Sequence, residues 1–261
     1  MAGVHDPVLA KPADVCCLKG DLHKGEPTGK TIQIEGVDTY VATPDSKAAN
    51  GHVLLSFPDA FGLHINSMLL MDAYAACGYL TLGVVYFLGD SVGKHSATPL
   101  SDPNFDLGAW AAKHLTASED VGREWVKNVK AQYGNGGKTK FGCVGYCWGA
   151  RFVCVQLSDG GICSAGAIAH PSFVKESHVQ NSKGSIAFAV PSTDNLFTPE
   201  ARARVVGICT EQKQRFNMQI FSDVGHGFAS RARLTDPYEM WAKEQPFKGF
   251  IEWLNFWIAQ E

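Results

Sequence analysis

Residues 138–157 contain Gly145-Tyr146-Cys147-Trp148-Gly149 between two apolar runs, 138–144 and 150–157. This order predicts a strand, a sharp turn and a helix, with a thiol at the apex of the turn. In the nucleophile-elbow pattern G-x-S-x-G, the turn holds the nucleophile in a strained conformation and projects it over the sheet. Glycine is needed two residues before and after it, because strand and helix cross too closely there for a Cβ. Cysteine stands where serine is usual, so the pattern indicates a nucleophilic Cys147; the alternative is an inert buried cysteine in a glycine-rich turn.

The length fits one large α/β domain or two small ones, and the composition is that of a globular protein with an ample core. The chain has 261 residues, of which 45% are hydrophobic and 19% charged, and its formal net charge is -3. No Lys/Arg run stands out, so nothing indicates binding of nucleic acid or of an anionic membrane. No apolar stretch approaches the length of a membrane span, and residues 1–18 lack the apolar segment of a signal peptide.

The eight cysteines do not suggest a disulfide framework. Five of them lie in predicted strands, helices or the elbow, which fits reduced thiols in the cytoplasm; they are Cys143, Cys147, Cys154, Cys163 and Cys209. The vicinal pair Cys16-Cys17 could bind a metal or oxidise. No second Cys/His pair lies at zinc-site spacing, so we interpret that pair as structural or incidental.

Strand and helix signals alternate along the chain. Residues 1–30 are predicted to form an irregular N-terminal arm packed on a domain of residues 31–261. The predicted strands are 31–35, 39–43, 52–57, 79–86, 140–145, 164–170, 185–190 and 217–221, the first two as a hairpin. The predicted helices are 67–77, 107–115, 119–133, 150–157, 199–209 and 238–258, with Ser118 as an N-cap. The alternation predicts an α/β fold, a doubly wound and mostly parallel sheet with helices on both faces.

Two polar residues follow strands at the edge where such sheets collect their chemistry, the carboxyl ends of the strands. Asp194 follows strand 185–190, and His226 follows strand 217–221. A histidine within hydrogen-bond reach would convert a thiol to thiolate, and an aspartate on its other ring nitrogen would fix the tautomer. Taken alone, either residue is commonly structural. The chain order Cys147, Asp194, His226 is that of α/β-hydrolases and favours the catalytic interpretation.

An oxyanion hole needs two backbone N–H groups aimed at the developing negative charge. The N–H of Trp148, at the start of the elbow helix, is one candidate. The loop after strand 52–57 should supply the other, and we favour Ala60. Asp59 would then lie close to the thiol, although a role as turn former after Pro58 is equally compatible with the spacing.

Taken together, these motifs resemble those of the dienelactone hydrolase family, especially its eukaryotic, fungal-type branch. The likeness covers nearly the whole chain. Its motifs are Cys16-Cys17 with Gly20 and His23, residues 38–42, Asp59-Ala60-Phe61-Gly62, the cysteine elbow, His170-Pro171-Ser172 and His226-Gly227-Phe228. The resemblance implies a single-domain α/β-hydrolase that cleaves lactones and activated esters without metal or organic cofactor. Cys147 would be the nucleophile, His226 the base and Asp194 the orienting acid.

The resemblance also implies how the substrate is held. In bacterial members a glutamate matching Asp59 holds the resting thiol, so Asp59 is expected to modulate Cys147. Those members clamp the substrate carboxylate with two arginines, whereas this chain has Leu88 and Ser230 there, with Arg231 one residue later. A larger aromatic or polyketide-like substrate in an apolar pocket is therefore expected. The substrate-binding candidates are Tyr86, Phe87, Leu88, His170, Phe173, Phe197, Phe228 and Arg231.

Three functions stay open at the level of sequence. The first is a hydrolase that cleaves a lactone, ester or thioester through an acyl-enzyme on Cys147. The second is a cyclase, isomerase or carbon–carbon-cleaving enzyme of natural-product metabolism at the same site. The third is a non-catalytic protein that binds a small molecule. The partner is a small-molecule substrate in the first two cases, and the chain could be a monomer or a homodimer.

Overall fold

The computed structural model describes residues 6–14, 20–95 and 104–260. The strands are β1 Val8–Ala10, β2 Lys30–Ile34, β3 Val37–Ala42, β4 Val53–Phe57, β5 Leu80–Val84, β6 Phe141–Tyr146, β7 Ala165–Ala169, β8 Val174–Lys175, β9 Ser185–Pro191 and β10 Phe216–Phe221. The helices are α1 Ile65–Ala76, α2 Leu107–Tyr133, α3 Ala150–Gln156, α4 Glu176–Asn181, α5 Pro199–Glu211, α6 Phe228–Arg231 and α7 Pro237–Ala259. Cys16-Cys17, which was interpreted from the sequence as structural or incidental, lies outside the described residues.

Eight strands form one sheet in the order β10-β9-β7-β6-β4-β5-β3-β2. The six strands from β10 to β5 run parallel. The predicted hairpin is present as β2 and β3, and β3 joins β5 in the antiparallel sense. The predicted fold class, a single-domain α/β-hydrolase fold, is therefore confirmed.

Helices cover both faces of this sheet, as a buried parallel sheet requires. On one face Trp125 of α2 and Phe152 of α3 pack against Phe57 of β4, with ring centroids 6.1 Å and 5.3 Å apart. On the other face Tyr74 of α1 joins Phe250 of α7 in a second apolar cluster. No helix in the described ranges is both long enough and apolar enough to cross a membrane.

The prediction of two helices at 107–115 and 119–133 is wrong, because α2 runs unbroken from Leu107 to Tyr133. Its N-cap is Asp106, whose side chain accepts from the N–H of Ala109. Ser118, the predicted cap, is fully buried in the middle of the helix. Its hydroxyl accepts hydrogen bonds from Arg151 (2.8 Å) and Trp148 (3.2 Å). Serine favours helix starts, but the side chain of Ser118 makes tertiary contacts instead.

The N-terminal arm is more regular than predicted. Strand β1 pairs with β8 in the antiparallel sense, forming a separate two-stranded sheet. Lys11 continues the attachment, since its N–H donates to the Leu196 carbonyl (2.8 Å) and its carbonyl accepts from Phe173 (3.0 Å). Ala13 then packs against the cluster of Cys147 and Leu196. The arm therefore covers the elbow.

The register of the parallel strands brings the candidate residues to one edge. Phe57 of β4 is level with Gly145 of β6, and Tyr146 is level with Ala169 of β7. Phe221 at the end of β10 is level with Pro191 at the end of β9. The loops that carry the residues proposed from sequence all leave the sheet at this edge.

Replacing Gly149 by alanine should destabilise the fold, because an added Cβ would overlap the Phe57 carbonyl oxygen. We expect Gly149→Ala to lower the free energy of unfolding by about 3 kcal/mol in urea titrations. The matched control is Gly207→Ala in α5, where a Cβ meets open space. It should change stability by about 1 kcal/mol or less, in the stabilising direction. Equal effects at the two sites would contradict the proposed crowding.

Candidate active site

The residues around Cys147 form the strained turn that the sequence predicted. Cys147 has a φ of 49°, a left-handed conformation that few non-glycine residues adopt. A Cβ at Gly145 would collide with the carbonyl of Gly149, and one at Gly149 with that of Phe57. The turn is therefore compressed between the helix that follows and the end of β4. The thiol is held at its apex.

His226 and Asp194 form a buried pair at the same edge. Nδ1 of His226 lies 2.9 Å from Oδ2 of Asp194, and Oδ1 of Asp194 accepts the N–H of Leu196 at 2.8 Å. Burial alone would lower the pKa of His226. The charge of Cys147 and the hydrogen bond that His226 makes with Asp194 outweigh burial and raise that pKa to about 10. The histidine is thus coupled to the thiol on one side and to the carboxylate on the other.

Ser172 is a neighbour of the thiol that reasoning from sequence did not single out. Its hydroxyl lies 3.3 Å from the Cys147 sulfur, and its N–H donates to the Cys147 carbonyl (3.1 Å). Ser172 follows β7 and is fully buried. The His170-Pro171-Ser172 motif drew attention to this loop, but no spacing rule indicates which of its side chains reaches the sulfur.

His170, predicted to contact the substrate, is fully buried behind His226. The two rings lie 5.0 Å apart. Burial lowers the pKa of His170 well below its usual value, and repulsion from His226 and Arg231 lowers it further. Neither of its ring nitrogens has a hydrogen-bond partner within the described ranges. His170 is a neutral ring that supports His226 from behind.

Asp59 is bound in a buried ion pair. Its Oδ1 accepts the N–H of Phe61 (2.9 Å), and its Oδ2 accepts from Ser230 Oγ (3.2 Å) and from Arg231 Nη1. Burial would raise the pKa of Asp59, but the Arg231 charge outweighs it and holds that pKa well below its ordinary value. The sequence pointed to Asp59 as a thiol modulator and to Arg231 as a substrate contact. The structure joins them to each other.

The two backbone groups expected to form an oxyanion hole belong to adjacent segments. Trp148 is the second residue of the short helical turn Cys147–Gly149. Ala60 lies in the loop after β4, and that strand's last residue, Phe57, touches the elbow at Gly149. Both residues are buried. Their assignment as donors stays a prediction.

The predicted aromatic pocket is largely packed interior. Phe87 and Phe173 contact the Trp148 ring, with centroids 5.3 Å and 4.6 Å away. Tyr86 stacks on Phe152 at 5.0 Å and donates its hydroxyl to the Pro58 carbonyl. Phe197 is a core residue with 1% exposure, whereas Leu88 is 65% exposed. Tyr86 and Phe197 therefore serve in packing in this structure.

A cavity of about 400 Å³ lies beside the His226–Asp194 pair. Its lining includes Phe228 and Arg231 from the substrate-binding candidates, together with Thr193, Asn195, Arg233 and Glu239. Cys147 itself has no exposed surface. In the described part of the chain no three His, Cys, Asp or Glu side chains come together as a metal site.

Comparison with known proteins identifies related sequences. The model of the dienelactone hydrolase family matches residues 37–257. The chain is 77% identical to Dienlactone hydrolase 1 of Gibberella moniliformis over 261 residues, covering 100% of both chains. It is 60% identical to Dienlactone hydrolase 2 of the same organism, covering 98% of this chain and 100% of the relative.

Solved structures share the fold at low sequence identity. A dienelactone hydrolase-like promiscuous phosphotriesterase from metagenomic libraries has a TM-score of 0.69 at 14% identity, covering 88% of this chain and 98% of its own. The α/β serine hydrolase XC6422 of Xanthomonas campestris has a TM-score of 0.58 at 13% identity, covering 90% and 98%. At these identities the likeness concerns the fold alone.

Asp59→Asn should destabilise the protein because it leaves the Arg231 guanidinium buried without its counter-charge. We expect a loss of about 3 kcal/mol in the free energy of unfolding at pH 7. The matched control is Asp120→Asn, which removes the surface pair between Asp120 and Arg123 (2.6 Å). That change should cost about 1 kcal/mol or less.

The same pair should make stability depend on pH. The pKa of Asp59 is lower in the folded than in the unfolded chain, so its contribution is complete above the unfolded value of about 4 and is lost as pH falls further. The stability difference between wild type and Asp59→Asn should therefore shrink below about pH 4. A difference that stays constant down to pH 2.5 in denaturant titrations would contradict the ion pair.

Proposed function

The chain belongs to the dienelactone hydrolase family, whose members are hydrolases of lactone or ester bonds, and we propose that it acts through a Cys147-His226-Asp194 triad. One observation carries the proposal. His226 is bound to Asp194 on one ring nitrogen, at 2.9 Å, and its pKa is raised to about 10, against the effect of burial, by the neighbouring Cys147 and Asp194. A thiol, a base and an orienting acid in this relation can form an acyl-enzyme.

The reaction follows from the roles of these groups. His226 takes the thiol proton, and the Cys147 thiolate attacks the carbonyl carbon of the substrate. The N–H groups of Trp148 and Ala60 stabilise the resulting oxyanion. Its collapse breaks the bond to the leaving oxygen or sulfur, which takes the proton from His226. A water molecule, deprotonated by His226, then attacks the thioester and releases a carboxylic acid and the Cys147 thiol.

Substrate access requires a local rearrangement. Cys147 has no exposed surface, and Leu196 and Ala13 pack against it. Ala13 belongs to the N-terminal arm, and Leu196 to the loop that carries Asp194. We infer that one of these segments moves to open a path to the thiol.

The cavity favours a substrate with several oxygen atoms. Its lining combines Phe228 with the polar groups of Thr193, Asn195 and Arg233. An aromatic or polyketide-like lactone or ester offers both an apolar ring and hydrogen-bonding oxygens. We place this activity in a reducing compartment, the cytoplasm, because the thiol must stay reduced and the six described cysteines form no disulfide with one another.

Removing either reacting group should abolish turnover. We expect Cys147→Ala and His226→Ala each to lower kcat/KM on a p-nitrophenyl ester by about three powers of ten or more, because triad members act as a unit. Cys77→Ala, at an exposed free thiol, is the matched control and should keep wild-type activity. If Cys147→Ala retains most of its turnover of this ester, Cys147 is not the nucleophile of the reaction.

Ser172→Ala should raise the pKa of the Cys147 thiol, so that less of it is thiolate at pH 7. A hydroxyl 3.3 Å from the sulfur can donate to the thiolate and so lower the thiol pKa. We expect alkylation by iodoacetamide to slow about tenfold at pH 7, with the midpoint of its pH profile shifted upward. The control is Ser222→Ala, which removes an exposed hydroxyl that lies 3.3 Å from Tyr238. An unchanged midpoint in Ser172→Ala would show that the contact does not act on the sulfur.

A further inference from the structure

A second cleft, of about 510 Å³, lies between α2, α3 and α4 on the face of the sheet that these helices cover. It shares no lining residue with the cavity beside His226. The proposed reaction uses none of its side chains. We propose that this cleft binds a small amphipathic carboxylate, an aromatic or aliphatic acid, at a site separate from Cys147.

The charge of the lining favours an anion. Four cationic side chains, Arg123, Lys127, Lys130 and Arg151, face one carboxylate, Glu119. Arg123 and Lys127 also pair with acids on their own helix, at 2.6 Å and 3.4 Å. Those pairs are at the exposed surface, where ion pairs are weak and exchange readily.

Arg151 supplies the inner cation. It is 2% exposed, and its Nη2 donates to the Ser118 hydroxyl (2.8 Å) and the Leu115 carbonyl (3.1 Å). Its Nε is 3.5 Å from Glu119, and Nη1 has no hydrogen-bond partner among the residues that the structure describes. A buried guanidinium with an unused donor is costly, and a carboxylate would satisfy it in the geometry that arginine favours.

A polar side chain without charge lies in the same lining as these cations. His178 also lines the cleft, and burial together with the Arg151 charge lowers its pKa to about 4. It is therefore neutral at pH 7 and adds no charge to the lining.

The rest of the lining is apolar. Val126 of α2, Phe152 and Val155 of α3 and Ile162 of the following loop line the same cleft. Val155 is 48% exposed although it is aliphatic. A ligand with an apolar body and one carboxylate would cover this surface and neutralise Arg151 at the same time. A small inorganic anion would leave the apolar wall in water.

The test measures binding of 2-naphthoate by isothermal titration calorimetry, with 2-naphthamide as the neutral analogue. Wild type and Cys147→Ala should both bind one naphthoate with a Kd of about 1 mM or tighter, a value typical for a ligand of this size. The amide should bind at least about tenfold more weakly, because it offers Arg151 no charge. Equal affinity for acid and amide would overturn the proposal.

Two variants locate the site without disturbing the core. At Gly160, on the rim, an added Cβ meets open space, so Gly160→Phe can fill the cleft without a backbone clash. Gly207→Phe, at an equally open position in α5, is the matched control. Gly160→Phe should weaken naphthoate binding about tenfold or more, and Gly207→Phe should leave it unchanged. Lys130→Glu should also weaken it, whereas Lys47→Glu, outside the cleft, should not.

The outcomes separate this proposal from the proposed hydrolysis. No saturable binding up to 10 mM naphthoate, or binding that survives both Gly160→Phe and Lys130→Glu, would overturn the carboxylate site. Neither result affects the triad, since ester turnover is measured independently. Binding that disappears in Cys147→Ala would place the ligand at the thiol instead and would also refute the separate site.

Discussion

The close approach of the elbow to the end of β4 is the constraint on which the site depends. Only glycine fits at positions 145 and 149, because a Cβ at either would meet a backbone carbonyl. That contact fixes Cys147 in a left-handed conformation, with φ of 49°, and so fixes the direction of its sulfur. It also brings the elbow against the last residue of β4, where the loop that carries Ala60 begins. The proposed nucleophile and the proposed oxyanion donors therefore depend on the same close approach of two backbone segments.

Buried polar groups of defined charge lie at the same edge of the sheet as the thiol. Asp59 and Arg231 neutralise each other, and His170 is kept neutral by burial and by the positive charges of His226 and Arg231. The raised pKa of His226 therefore reflects its own partners, Cys147 and Asp194. Water is largely excluded from this layer, so each of these interactions is stronger than it would be at the surface. The layer supports the proposed thiolate without contributing a reacting group of its own.

Sequence reasoning predicted the sheet, the elbow and the positions of Asp194 and His226. These depend on local periodicity and on the rule that parallel strands end at one edge. It did not predict the continuous helix α2, because serine followed by two acidic residues is typical of a helix start. In the structure the Ser118 hydroxyl instead accepts hydrogen bonds from Arg151 and Trp148. Sequence reasoning also gave Asp59 and Arg231 unrelated roles, because the two residues lie 172 positions apart in the chain. Contacts between such distant residues, including that of Ser172 with the sulfur, are set by tertiary packing that no spacing pattern records.

The central claim is that Cys147 carries the acyl group. Rapid quenching of the reaction with p-nitrophenyl acetate, followed by peptide mapping with mass spectrometry, tests it directly. The account predicts one acetyl group on the peptide that contains Cys147, appearing within the first turnover and decaying at the rate of hydrolysis. An acetyl group that accumulates on another residue at that rate, or steady turnover with no acylated Cys147 peptide, would contradict it.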